Sequence, residues 1–89
     1  MDRDTWLAKL KTGRAIAIVR ASHWQTGLHM ARAAVAGGFR LIEITWTSDR
    51  PGQLITALRT ALPADCCVGV GTILNVDDLR AAIAAGAQF

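Results

Sequence analysis

With 89 residues, the chain has room for one small hydrophobic core and no second domain. An apolar share of 52% beside 19% charged residues excludes a disordered chain, and the apolar runs are too interrupted to span a bilayer, so no membrane partner is expected. Lys and Arg outnumber Asp and Glu by 10 to 7, which favours an acidic partner; the basic residues are scattered rather than clustered among aromatics, which argues against nucleic acid.

The start of the chain has Asp2 and Asp4 and no long apolar stretch, unlike a secretory signal, so a cytosolic setting is expected. The spacing of Trp6, Leu7 and Leu10 predicts a short amphipathic helix over Asp4 to Lys11, stopped by Gly13. Ala15 to Val19 is a compact apolar run with β-branched residues, too short for a helix, and reads as the first strand. Ser22 with Gln25 forms a capping-box pattern ahead of Leu28, Met30, Ala31, Ala34 and Val35, and Gly37-Gly38 ends that helix. Arg40 to Trp46 alternates, with Leu41, Glu43 and Thr45 on one face and Ile42, Ile44 and Trp46 on the other.

Ser48 or Asp49 is expected to cap the following helix, with Pro51 in its first turn and Leu54, Ile55, Leu58 and Leu62 as its buried stripe before Pro63. Cys66 to Val70 reads as the third strand, followed by a Gly71-Thr72 loop. Asn75 is the N-cap of the last helix, Asp77 and Asp78 favour its dipole, and Leu79, Ile83 and Gly86 complete it. Ala87 to Phe89 stands where a fourth strand starts.

One helix followed by three strand-helix units with near-continuous apolar strands predicts an α/β fold whose parallel sheet has its strands in sequence order. A repeat of roughly 25 to 30 residues is the unit of a (β/α)8 TIM barrel, which needs about 250 residues. The expected architecture is therefore an N-terminal helix plus the first three β/α units of a partial barrel, with residues 1–89 forming one incomplete domain. A self-contained three-stranded sandwich is the competing arrangement. In a three-unit slice the third strand exposes an unpaired edge at Val68 and Val70, which predicts aggregation, oligomerisation or loose packing.

Glu43 is the only Glu, set mid-strand between Ile42 and Ile44. A carboxylate among branched apolar side chains needs a partner, a raised pKa or both. Two readings stand: a proton-transfer group, or a structural ion pair, for example with Arg20 on the neighbouring strand. Arg20 and Thr72 lie at the C-terminal ends of the first and third strands, the edge at which barrel active sites are built. Gly69-Val70-Gly71-Thr72 has the look of a phosphate cradle without the Gly spacing and Lys of a P-loop.

Cys66 and Cys67 are adjacent and supported by no further Cys or His cluster, and His23 and His29 are six residues apart, so no metal is expected. Trp6, Trp24 and Trp46 read as packing or interface anchors. Lys9 and Lys11, the only lysines, read as solvated amines on the leading helix.

Four segments in order resemble the 2-keto-3-deoxy-6-phosphogluconate / 4-hydroxy-2-oxoglutarate (KDPG/KHG) aldolase family. They are Ala17 to Ala21, Ala36 to Thr45, Val68 to Leu74 and Ala85 to Phe89. The resemblance covers nearly the whole chain and maps to the family's N-terminal part. It implies a class I aldolase on a (β/α)8 barrel, a homotrimer in its full-length form, that needs no metal or other cofactor. Such a lyase of carbohydrate metabolism splits a 2-keto-3-deoxy (phospho)sugar acid or 4-hydroxy-2-oxoglutarate into pyruvate and an aldehyde. It further implies that Glu43 is the proton-shuttling glutamate and that Arg20 and Thr72 bind the keto-acid substrate.

Where other members carry an arginine after the Glu-x-Thr segment this sequence has Thr47, so phosphorylated and unphosphorylated substrates both stay open. The family's imine-forming lysine lies on the sixth strand, and neither Lys9 nor Lys11 matches it, so these residues alone are expected to show no turnover. The alternative is a non-catalytic module that binds a small carboxylate or serves assembly.

Overall fold

The computed structural model describes residues 1–89. Four helices and three strands follow one another as α1 (Arg3–Gly13), β1 (Ala17–Val19), α2 (Trp24–Ala36), β2 (Leu41–Thr45), α3 (Pro51–Ala61), β3 (Cys67–Gly71) and α4 (Val76–Ala85). The strands form one parallel sheet in the order β1-β2-β3, as the alternation of strands and helices predicts. Ile18 pairs with Glu43 and Glu43 with Gly69; Val19 pairs with Ile44 and Ile44 with Val70.

This register sorts the side chains. Val19, Ile42, Ile44 and Val68 turn to one face and are buried with Ala31 of α2 and Leu54, Ile55 and Leu58 of α3. Each fully buried Leu or Ile contributes about 1.5–3 kcal/mol, so this single layer supplies most of the stability. Ile18, Leu41, Glu43, Thr45, Cys67, Gly69 and Gly71 fall on the opposite face. No helix of the layered set covers that face, and Ile18 stays 63% exposed. Only α1 reaches its N-terminal part: Gly13 abuts Leu41, and Trp6 stacks on Phe89 with ring centroids 4.2 Å apart.

Local signals account for most helix ends. Asp2 caps α1 by accepting the Thr5 N–H at 2.8 Å, and Asn75 caps α4 by accepting the Asp78 N–H at 2.8 Å. Gly13 does not stop α1; Arg14 does, as a left-handed C-cap at φ 63°. The Ser22-Gln25 capping box is not used: His23 is the N-cap of α2 and makes no side-chain cap bond. Asp49, distant in sequence, takes over by accepting the Trp24 N–H at 3.0 Å. Neither Ser48 nor Asp49 therefore caps α3, whose N-cap is Arg50 in the left-handed region at φ 45° ahead of Pro51.

One further expectation is corrected, the unpaired edge of β3, and α4 packs by its small residues. Leu79 and Ile83 are 43% and 62% exposed, because α4 turns its alanines inward: Ala82 is buried and Ala85 packs against the core. The larger side chains lie on its flank, where they line a groove with Val70, Ile73, Ala87 and Phe89. The outer edge of β3 is also partly occupied. Gln88 donates its N–H to the Val68 carbonyl at 2.7 Å, Val70 donates to the Phe89 carbonyl at 2.9 Å, and the Gln88 side-chain oxygen accepts the Val68 N–H at 2.9 Å. Residues 87–89 thus begin to pair where the sequence places a fourth strand. No helix is long and apolar enough to cross a membrane.

Candidate active site

Glu43 is the middle residue of β2 and turns to the face away from the helical layer. It is half-buried, yet its carboxylate accepts no hydrogen bond, and the one salt bridge of the chain joins Arg40 and Asp65 at 3.0 Å. Of the two readings of Glu43, the structural ion pair, for example with Arg20, is not formed. Arg20 follows β1, whose Val19 pairs with Ile44, so it stands two residues beyond the Glu43 partner Ile18, and its side chain is exposed at the sheet edge.

The carboxylate does not lie straight across the sheet. Its register partner is Gly69, but the group rests on Gly71, the partner of Thr45, so it inclines toward the C-terminal strand edge. Thr72 follows at once, in the left-handed region at φ 59°. A β-branched residue there is sterically strained, and such strain concentrates at functional sites.

The loops after β1 and β2 are bound together at the same edge. Ser48 is buried; its Oγ accepts the Ala21 N–H at 3.3 Å, donates to the Val19 carbonyl at 3.4 Å, and lies 3.0 Å from Thr45 Oγ1. Ser48 has one hydroxyl proton, so with that proton on Val19 it is Thr45 that donates to Ser48. Thr47 in turn donates to Thr45 at 3.2 Å, which makes one directed chain of three hydroxyls. The Asp49 N–H donates to the Ala21 carbonyl at 2.9 Å, and the Trp46 N–H donates to the Gly71 carbonyl at 2.9 Å. The loops carrying Arg20, Thr47 and Thr72 are thus joined by short-range bonds along one edge.

Glu43, Arg20 and Thr72 belong to that edge, but none of them lines any of the three clefts of the chain. They form an open polar surface rather than an enclosed pocket. No group of three or more His, Cys, Asp or Glu is close enough to hold a metal ion. Cys66 and Cys67 are buried free thiols, and burial pushes the Cys66 thiol up from its ordinary range, with the Asp65 carboxylate adding to the effect. Lys11 is exposed, whereas Lys9 is half-buried beside Thr12, Arg40 and Asp65 at the start of β2. The sequence does not point to Ser48, Asp49 and Gly71 at this edge: the capping pattern of Ser48 and Asp49 fits α3, whereas Asp49 caps α2 and Ser48 ties the β1 loop to Thr45.

Residues 7–89 match the family model described as KDPG and KHG aldolase. The 2-dehydro-3-deoxy-phosphogluconate aldolase of Treponema pallidum (strain Nichols) is 36% identical over 80 residues, 90% of this chain and 38% of that protein. The KHG/KDPG aldolase of Escherichia coli (strain K12) is 35% identical over 80 residues, 90% of this chain and 37% of that protein. The 2-dehydro-3-deoxy-phosphogluconate aldolase of Dickeya dadantii (strain 3937) is 34% identical over the same length, again covering 37% of that protein. The chain spans little more than a third of these relatives. Within that third the match runs nearly end to end, and the chain belongs to the KDPG and KHG aldolase family.

Proposed function

We propose that residues 1–89 supply the first three β/α units of a (β/α)8 barrel and, with them, part of the pocket of a class I aldolase. The reaction is cleavage of 2-keto-3-deoxy-6-phosphogluconate or 4-hydroxy-2-oxoglutarate to pyruvate and an aldehyde, in a cytosolic homotrimer. The observation that carries this reading is the Glu43 carboxylate, unpaired on the uncovered face of the sheet and inclined toward the strand ends.

In the proposed chemistry a lysine amine condenses with the keto carbon, releasing water, and the protonated imine is the electron sink. Glu43, acting through a water, takes the proton of the C4 hydroxyl as the C3–C4 bond breaks. The aldehyde leaves, Glu43 returns a proton to C3 of the enamine to give the pyruvate imine, and water hydrolyses that imine to free pyruvate and the lysine amine. Arg20 at the end of β1 balances the substrate carboxylate or phosphate, and the Thr72 hydroxyl orients the keto-acid end. An unpaired carboxylate suits this role, because a fixed salt bridge holds the charged form and opposes taking up and giving back a proton.

The lysine is not among these residues. Lys9 and Lys11 both sit on α1, away from the C-terminal strand edge, and imine chemistry requires a desolvated amine within reach of Glu43. The purified 89-residue chain is therefore expected to release no pyruvate above the buffer rate, and borohydride with pyruvate is expected to leave both lysines unmodified. A chimera in which residues 1–89 replace the matched stretch of the Escherichia coli relative is expected to release pyruvate. Glu43→Gln in that chimera should lower kcat by about 10²–10⁴-fold. Turnover by the 89-residue chain, or a chimera indifferent to Glu43→Gln, contradicts the proposal.

A further inference from the structure

We propose that Gly71 is a positioning residue for Glu43: by presenting no side chain it makes the bed on which the carboxylate rests, inclined toward Thr72. This rests on the reading of Glu43 as the proton-carrying group. In the parallel register of β2 and β3, Glu43 lies opposite Gly69 and Thr45 opposite Gly71. The shortest course for the Glu43 side chain is straight over Gly69, and that course is closed. The Phe89 ring fills the space over Gly69, where a Cβ would come within 2.5 Å of ring carbons, and Trp6 stacks on that ring.

One step further along β3 the way is open. A Cβ on Gly71 would coincide with the Glu43 carboxylate, so the carboxylate occupies the volume that any other residue would fill. Neither glycine is demanded by the backbone, since the only glycines with positive φ are Gly38 and Gly86. Within a strand, glycine is the poorer choice than alanine, so its use at 69 and 71 calls for a steric reason. The carboxylate has no hydrogen bond or ion pair to fix it, and the Phe89 ring over Gly69 and the open space over Gly71 set its direction. The two glycines of the Gly69-to-Thr72 run thus admit an aromatic ring and a carboxylate to the face away from the helical layer.

The test is a double-mutant cycle on the 89-residue chain, with folding followed by urea titration of tryptophan fluorescence. Gly71→Ala should lower the folding equilibrium constant by about tenfold or more when Glu43 is present, the size expected for directly touching groups. In a Glu43→Ala background the same change should cost less than about twofold or stabilise. Glu43→Asp, one methylene shorter, should recover part of the loss. If Gly71→Ala does not fold, restoration of folding by the second substitution demonstrates the same coupling.

A spectroscopic signature accompanies this: contacts between the Glu43 γ-methylene and the Gly71 α-protons should appear in nuclear Overhauser spectra of the chain. Gly69→Ala should couple to Phe89 and not to Glu43. A Gly71→Ala penalty of equal size with and without Glu43, or absence of the Glu43–Gly71 contact, overturns the inference. That outcome leaves the proposed function untouched, whereas a chimera indifferent to Glu43→Gln removes the function and leaves the coupling standing.

Discussion

The two faces of the sheet follow opposite rules. On the helix-covered face, Val19, Ile42, Ile44 and Val68 form one buried apolar cluster with Leu54, Ile55 and Leu58. On the other face the same strands present the buried Leu41 and Cys67 at one end, then Ile18, Glu43, Thr45 and two glycines, with a carboxylate that makes no ion pair. One face is a continuous apolar layer, and the other is apolar and buried at its N-terminal end and polar toward the C-terminal strand ends. The difference teaches that a residue's worth here is set by the parity of its position on the strand more than by its type.

Substitutions on the two faces should differ in sign as well as size. The largest effect belongs to the covered face: Leu54→Ala, at a fully buried position, should cost about 2–5 kcal/mol, enough to unfold a chain this small. A Leu54→Ala chain with an unchanged urea midpoint breaks the contrast at its strong end. Ser48→Ala comes next, because it leaves the Ala21 N–H and the Thr45 hydroxyl without their buried partner. The cost should be about 1–3 kcal/mol in urea unfolding, with faster amide exchange at Ala21.

At the strained end of β3 the sign reverses. Thr72→Gly should raise stability by about 1 kcal/mol through relief of the left-handed backbone, while weakening keto-acid binding in the chimera. A loss of stability there would show that the Thr72 side chain holds the loop rather than the substrate. The smallest effect is expected at Glu43→Gln, which removes an unpaired charge and no hydrogen bond; the folding free energy should stay within about 0.5 kcal/mol. A larger loss would reveal a partner for the carboxylate and return Glu43 to a structural role.

Much of this was legible in the sequence. Alternation placed Glu43 on the face opposite Ile42 and Ile44, the strand-helix order gave the sheet order, and Asn75 capped its helix, because each rests on near neighbours in the chain. The illegible parts depend on elements far apart in sequence. Asp49 carries a capping signal that fits the next helix, yet serves a helix 25 residues upstream, since only the fold brings the two loops together. The pattern of α4 marks Leu79 and Ile83 as apolar but cannot say which flank is covered. Glycine in β3 reads as turn chemistry until the ring of Phe89 and the carboxylate of Glu43 are seen lying on it.

The most direct test of the proton-carrying role separates it from imine formation. In the chimera, pyruvate is incubated in D2O and exchange of its methyl protons is followed by NMR, with borohydride trapping of the pyruvate imine run in parallel. Glu43→Gln should lower the exchange rate by about 100-fold or more while trapping persists, since the carboxylate moves protons and the amine comes from elsewhere. Exchange that continues at the parent rate in the Glu43→Gln chimera would contradict the proton-carrying role.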